Sequence, residues 1–327
     1  MARTLCRMIS VLAGGVGAAR FLKGLRGVVP GHDTVAIVNT GDDTVMHGLS
    51  ISPDIDTVTY TLADAIDPER GWGLRDETWR AMDALDRFAA VRPDTSSAGG
   101  RWFNLGDTDL ATHCYRTARL AEGATLSQVT DEVRRAFGVE ARLVPMSDDP
   151  VSTLVHRADT GEVISFQEYF VKLRHGVPVS RIELRGADTA RFFDMSLLTE
   201  PEVVVIAPSN PVVSIGPIRA LSGVDAALAS RRETVVGISP IVAGAALKGP
   251  ADRMLEELGH EPTVVGVARM YAPVCGTLVI DTQDAHLASD VEACGVRCVV
   301  TDTIMSKPGV GESLARTVID AARNGRN

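Results

Sequence analysis

The stretch ISVLAGGVGAAR, Ile9–Arg20, runs from four mostly apolar, β-prone residues through Gly14, Gly15 and Gly17. It continues into Ala18-Ala19-Arg20-Phe21-Leu22, which reads as the opening turns of a helix. A strand that turns over glycines into a helix leaves several backbone N–H groups aimed at one spot, and the helix dipole adds partial positive charge there. Such a spot suits a phosphate, because glycine carries no side chain to hold an anion off the backbone. The stretch is not a P-loop, since no Gly-Lys-Ser/Thr follows. It is an imperfect dinucleotide fingerprint, with Arg20 at the third glycine position. The plain alternative is a tight βα turn that holds no ligand.

Working outward, a helix over Ala18–Arg26 ends near Gly27, and Thr34–Val38 (TVAIV) is a continuous apolar run of the kind buried in a parallel sheet. Strand, helix and strand make a βαβ unit, whose loops at the carboxyl ends of the strands share one edge of the sheet. The glycine loop and Asn39-Thr40-Gly41-Asp42-Asp43 are therefore expected to face one crevice. Glu202–Ile206 and Thr234–Ile238 read as further buried strands, and Val264–Val267, Thr277–Ile280 and Cys298–Val300 as shorter ones. Residues 57–137 read as a mainly helical excursion, including a helix over Asp76–Ala90 and another capped by Ser127. Residues 141–200 read as a β-rich insertion: a strand over Ala141–Pro145, a hairpin of Val151–His156 and Val163–Phe166 about Thr160-Gly161, then β-type sequence over Gln167–Leu173 and Arg181–Arg185. The whole is expected to be one large α/β domain, 1–327, with a Rossmann-like, doubly wound, mostly parallel sheet.

A chain of 327 residues, 45% hydrophobic and 23% charged, can bury a sizeable core. Its net charge of −9 argues against nucleic-acid or anionic-membrane partners, which need a basic face. It does not exclude an anionic substrate, because a glycine loop with a metal holds phosphate inside an acidic protein. The cysteines, Cys6, Cys114, Cys275, Cys294 and Cys298, match no CxxC zinc spacing and read as reduced, structural residues of a cytoplasmic protein. No apolar run is long enough for a membrane span. Met1–Arg7 does not read as a signal peptide and is expected to be dispensable; Asp94–Gly100 (DTSSAGG) reads as a flexible surface stretch.

Six motifs then occur in order: Ala13-Gly14-Gly15-Val16-Gly17; Asn39-Thr40-Gly41-Asp42-Asp43; Ser52-Pro53-Asp54-Ile55-Asp56-Thr57; Leu105-Gly106-Asp107 with Asp109 and Ala111-Thr112-His113; Pro145-Met146-Ser147-Asp148-Asp149-Pro150; and Pro208-Ser209-Asn210-Pro211 with Ser214-Ile215-Gly216-Pro217. As a set they resemble the 2-phospho-L-lactate transferase family (CofD and FbiA), from about Met8 to the C-terminus. The resemblance implies a Rossmann-like, homodimeric, magnesium-dependent enzyme of coenzyme F420 biosynthesis. It implies a guanosine diphosphate-linked donor carrying an enolpyruvyl or lactyl acid. The phospho-acid passes to the ribityl hydroxyl of the deazaflavin Fo, and GMP leaves.

Phosphoryl transfer needs in-line positioning, a cation on the phosphates and a group to orient or deprotonate the alcohol. Asp42 follows a strand in the crevice, and hard carboxylate oxygens suit Mg²⁺, so Asp42 is expected as the leading metal ligand and Asp43 as the second, the alternative being that one of the pair only caps a helix or turn. The resemblance places Asp56 on the ribityl chain, where it is also a candidate base, and Asn104 on the deazaflavin. Asp54 reads instead as a cap of the following helix. Gly14, Gly15, Gly17, Asn39, Ser209 and Asn210 complete the expected substrate contacts, and Arg20, just inside the first helix, reads either as a phosphate contact or as a solvated arginine. Asp107, Asp109 and His113 read either as site support or as a network around a helix start. Trp72, Trp79 and Trp102 read as core packing or ring stacking. A nicotinamide-dependent dehydrogenase is the alternative enzyme. It is disfavoured by Asn39 at a strand end where an acidic ribose ligand is expected. A non-catalytic nucleotide-binding regulator would have no use for so many acidic motifs.

Overall fold

Val11 and Leu12, adjacent on the first strand, pack into two different hydrophobic clusters, one on each face of a central sheet. Successive side chains of a strand point to opposite faces, so a strand apolar at every position must be covered on both. The computed structural model describes residues 8–93, 96 and 102–325. Met1–Arg7 and all of Asp94–Gly100 except Ser96 lie outside these residues.

The sheet holds seven parallel strands: β1 (Ile9–Ala13), β2 (Thr34–Val38), β3 (Arg142–Pro145), β4 (Val203–Ile206), β5 (Val235–Ile238), β6 (Thr277–Asp281) and β7 (Arg297–Thr301). Their order is β7-β6-β5-β4-β1-β2-β3. β1 feeds β2 on one side, while β4 pairs on its other side, Ile9 opposite Val203 through Leu12 opposite Ile206. The winding thus reverses between β1 and β4, the switch point where ligands of open α/β sheets bind. α1 (Gly15–Arg26) and the closing helix Val310–Asn324 cover one face; Ala18, Phe21, Leu22, Leu314 and Val318 join Val11, Ala36 and Val205 there.

Between β2 and β3 the chain forms α2 (Pro53–Leu62), α3 (Arg80–Ala89), α4 (Asp109–Ala121) and α5 (Leu126–Ala136). α3 starts later than expected, since Asp76 adopts φ +57° outside any helix. α5 is capped by Thr125, whose side chain accepts from Gln128 N, and not by Ser127, whose N–H and hydroxyl bond Asp148. The strand Arg142–Pro145, grouped with the insertion from sequence, pairs with β2 in the main sheet. Beyond it, Ser152–Arg157 lies between Val163–Ser165 and Val179–Arg185 in a three-stranded antiparallel sheet.

Two expected β segments are helical. Glu168–Lys172 forms a π-helical turn. Val264–Tyr271 is a helix, because the Thr263 side chain accepts from Gly266 N and starts it. A short apolar run does not distinguish a buried strand from a buried helix, and here the cap decides. No helix among the described residues is long and apolar enough to cross a membrane.

Candidate functional site

A cavity of about 720 Å³ opens at the carboxyl ends of β1, β2, β4, β5 and β7. Gly14, Gly15, Gly17, Asp42, Asp54, Asp56, Asn104, Ser209 and Asn210 all line it. Asn39 and Asp43 are not among the lining residues: Asn39 bonds Asp42 and Asp54, which are, and Asp43 accepts from Ser52 Oγ beside them.

The glycine turn is held from two sides. Ser209 Oγ donates to Gly14 O at 2.8 Å and accepts from Gly14 N at 3.3 Å, locking the loop after β4 onto the loop after β1. Gly15, at φ +70°, donates its N–H to Asp54 Oδ1 at 2.7 Å. Asp54 therefore caps α1 across the cavity and not its own helix, α2, which has no side-chain cap. The turn must be glycine for space as well. A Cβ on Gly14 would lie 2.7 Å from Asp54 Oδ2, and one on Gly17 would lie 2.1 Å from the Pro208 carbonyl oxygen. With Gly15 taken, the N–H groups of Val16 and Gly17 remain at the helix start, where no preceding turn supplies acceptors.

Asn39, 1% exposed, joins the two acidic motifs: its Nδ2 donates to Asp54 Oδ2 at 2.9 Å and to Asp42 Oδ1 at 3.3 Å. Gln167 Nε2, from the antiparallel insertion, donates to Asp42 Oδ2 at 3.0 Å. Burial, followed by the negative charges of Asp54 and Asp43, holds the Asp42 carboxyl well above its usual range. Burial raises Asp43 too, against a 2.7 Å hydrogen bond from Ser52 Oγ, and pushes Asp54 up to about 6 against the bonds from Asn39 and Gly15. Gln167 carries no motif and lies far along the chain, so only the fold brings it to Asp42.

Asp56 faces the same cavity, but both of its oxygens accept from the buried Arg116 guanidinium: Nη1 reaches Oδ2 at 3.0 Å and Nη2 reaches Oδ1. His113 Nδ1 lies 3.7 Å from Asp56 Oδ2, and its Nε2 lies 3.2 Å from Asp109 Oδ2. The Tyr60 hydroxyl donates to Asp109 Oδ1 at 2.6 Å. Burial raises Asp109, but the hydrogen bond and charge of His113 outweigh it and hold the group below its usual range. Asp109 and His113 thus form a buried network behind Asp56, while Asp107 accepts from the N–H groups of Arg80 and Ala81 at the start of α3.

Asn210 Oδ1 accepts from Val212 N at 2.9 Å, which fixes its loop beside the cavity. Asn104 is exposed at the cavity edge. Trp72 lines the cavity and packs on Trp79, with Arg70 over both rings; Trp102 sits edge-on to Phe103, away from the lining. Ser147 donates to Arg191 O, and Asp149 accepts from Arg191 N, so that loop is structural.

Whether this acidic wall suits Mg²⁺ follows from its donors. No group of three or more His, Cys, Asp or Glu side chains among the described residues is arranged as a metal cage. Mg²⁺ does not require one, since it is usually held by one or two carboxylates with water and substrate phosphates. Asp43 Oδ1 is buried without a hydrogen-bond partner, and Asp42 is raised by burial and then by its acidic neighbours, all of which a cation relieves. The residues fit.

A doubly wound sheet with a glycine turn, a buried acidic wall and a roomy cavity at the switch point has the arrangement of α/β proteins that bind a ligand at the carboxyl ends of their strands. The chain belongs to a family described as 2-phospho-L-lactate transferase CofD, whose model it matches over residues 9–316, and it is a transferase of that type. It is 41% identical over 326 residues to a phosphoenolpyruvate transferase of Kitasatospora aureofaciens, covering 98% of this chain and 99% of that one. A phosphoenolpyruvate transferase of Streptomyces griseus subsp. griseus is 42% identical over 323 residues (97% and 99% covered). One of Mycobacterium tuberculosis is 39% identical over 333 residues (96% and 98% covered). Among solved structures, a UPF0052 family member from Bacillus halodurans superposes with TM-score 0.58 at 14% identity, covering 96% of this chain and 98% of that one, a likeness of fold.

Proposed function

We propose that this chain moves a phosphoenolpyruvyl or 2-phospho-L-lactyl group from a guanosine diphosphate-linked donor to the ribityl hydroxyl of the deazaflavin Fo, releasing GMP, in coenzyme F420 biosynthesis. It acts with Mg²⁺ and as a homodimer. The observation that carries the reading is that the glycine turn and Asp42 share one cavity at the switch point. The relatives' name supports a phosphorylated three-carbon acid as the group moved.

In this reading the hydroxyl oxygen of Fo attacks the phosphorus that bears the three-carbon acid. The bond from that phosphorus to the bridging oxygen breaks, and GMP departs with the electron pair. The hydroxyl proton passes to a carboxylate of the acidic wall. Asp56 orients the hydroxyl, since both of its oxygens already accept from Arg116. Val16 and Gly17 N–H groups hold phosphate oxygens at the start of α1. Asp42 and Asp43 would hold Mg²⁺, which neutralises diphosphate charge when bound. Asn39 and Gln167 keep Asp42 in place. Asn104, Ser209 and Asn210 contact Fo or the transferred group.

The decisive experiment is mass spectrometry of the product from Fo with donors carrying enolpyruvate, lactate and glycerate. An adduct of Fo with one phospho-acid is expected, and no adduct from any donor would refute the reading. GDP with Mg²⁺ is expected to raise the melting temperature while NADH leaves it unchanged. The reverse result would favour the dehydrogenase.

A further inference from the structure

Four carboxylates line the cavity, and each already has donors: Asp42 from Gln167 and Asn39, Asp54 from Gly15 and Asn39, Asp56 from Arg116, and Asp109 from Tyr60. Among the cations of the lining, Arg70 pairs with Asp67 at 3.0 Å and donates to Leu74 O at 2.9 Å. Arg20 and Lys248 differ, for neither meets a carboxylate among the described residues. Arg20 lies one turn along α1 from Val16 and Gly17, on the same helix face. Lys248 follows the hairpin of Ile241–Val242 and Ala245–Ala246. Its ammonium lies over the Gly71 turn beside the start of α1: the point where a Gly71 Cβ would sit is 2.7 Å from Lys248 Nζ and 3.9 Å from Val16 Cγ1. Lys248 is exposed as a residue, yet partial desolvation of its ammonium, and after it the like charge of Arg20, lower its pKa. Two mutually repelling cations, in a cavity whose carboxylates are otherwise engaged, call for an external anion.

We infer that Arg20 and Lys248 form an oxyanion clamp that grips a phosphate or carboxylate of the substrate beside the start of α1. Arg20 presents a planar fork to two oxygens, and Lys248 closes on the group as a point charge. The transferase reading decides only which substrate carries the anion, not whether the clamp exists.

The test is calorimetric binding of GDP, GMP, phosphoenolpyruvate and inorganic pyrophosphate to the full chain with Mg²⁺. Wild type is compared with Lys248→Met, Arg20→Gln and Lys248→Arg. Lys248 is exposed, so its replacement leaves the fold intact. Lys248→Met and Arg20→Gln are each expected to weaken at least one of these ligands about tenfold or more, with Lys248→Arg recovering most of the loss. Loss of GDP and pyrophosphate with GMP little changed identifies the clamped group as the terminal phosphate. Loss confined to phosphoenolpyruvate identifies the three-carbon acid. Affinities within about twofold of wild type for every ligand, or no binding of any of them to wild type, would overturn the clamp. Because the readout is binding, the clamp survives if the Fo adduct never forms, and it can fail while the adduct forms.

Discussion

The carboxylate of Asp54 accepts a hydrogen bond from the backbone N–H of Gly15 at 2.7 Å, so the acidic motif at the start of α2 caps the helix that the glycine turn begins. This brings a negative charge to a dipole end otherwise suited to phosphate. The arrangement has a pH signature. Burial raises the folded-state pKa of Asp54 from 3.8 to about 6 against the bonds from Asn39 and Gly15, so between these values the folded chain binds more protons than the unfolded one. Metal-free stability from this group is therefore greatest below about pH 4 and falls as pH rises through about 6. Asp54→Asn removes that dependence. Melting temperatures in chelator across this range are expected to fall more steeply with pH for wild type than for the variant. Parallel curves would contradict the assignment.

Asp42→Ala separates chemistry from folding. Asp42 is buried beside two other carboxylates that raise its pKa, so its removal relieves repulsion. The variant is expected to melt within a few degrees of wild type and to lose transfer by about a thousandfold or more, as loss of a metal ligand at a phosphoryl centre implies. Magnesium is expected to stabilise wild type against heat but not the variant. Normal turnover of Asp42→Ala with magnesium would show that the metal lies elsewhere.

The Asp56–Arg116 pair is buried on both sides, which makes its halves unequal to its whole. Removing Arg116 leaves an uncompensated charge in the interior, so Arg116→Met is expected to destabilise the fold by about 3–5 kcal/mol in denaturant unfolding. Adding Asp56→Asn removes the orphaned charge, and the double variant is expected to be less destabilised than the sum of the single changes. Simple additivity would mean that the two groups do not act as a pair.

Much of the frame was legible because the signals were local. β1, β2 and the glycine turn lie within a few dozen residues, and their apolar runs and breakers are strong. Asp42 and the loop after β4 followed from one rule, that strands in a parallel sheet share a ligand edge. What stayed hidden depended on contacts between distant segments. Asp54 reads as a cap of α2 until the structure shows the Gly15 amide nearer to it. Gln167, at the start of the π-helical turn Glu168–Lys172 where a strand was expected, meets Asp42 from 125 residues away along the chain. Arg116 sits in α4 among other charged residues, and nothing in its neighbourhood marks it as the buried partner of Asp56. Val264–Val267, expected as a strand, belongs to the helix Val264–Tyr271, because four residues carry no period long enough to separate helix from strand.

Gly17 tests whether the two loops must touch. Its position in α1 demands no unusual backbone angle, so the residue is not there for flexibility. It is there because a Cβ would stand 2.1 Å from the carbonyl oxygen of Pro208, and a backbone atom cannot swing aside as a flexible side-chain end does. Gly17→Ala is therefore expected to force α1 and the Pro208–Asn210 loop apart, destabilising the fold by about 1–3 kcal/mol and lowering the melting temperature by several degrees. The separation strains the bonds of Ser209 Oγ to Gly14, so kcat/KM for transfer is expected to fall further than the stability loss alone explains. Activity measured well below the melting temperature makes the distinction. A variant with wild-type kcat/KM and an unchanged melting temperature would show that the contact between the loops is not needed to build the site.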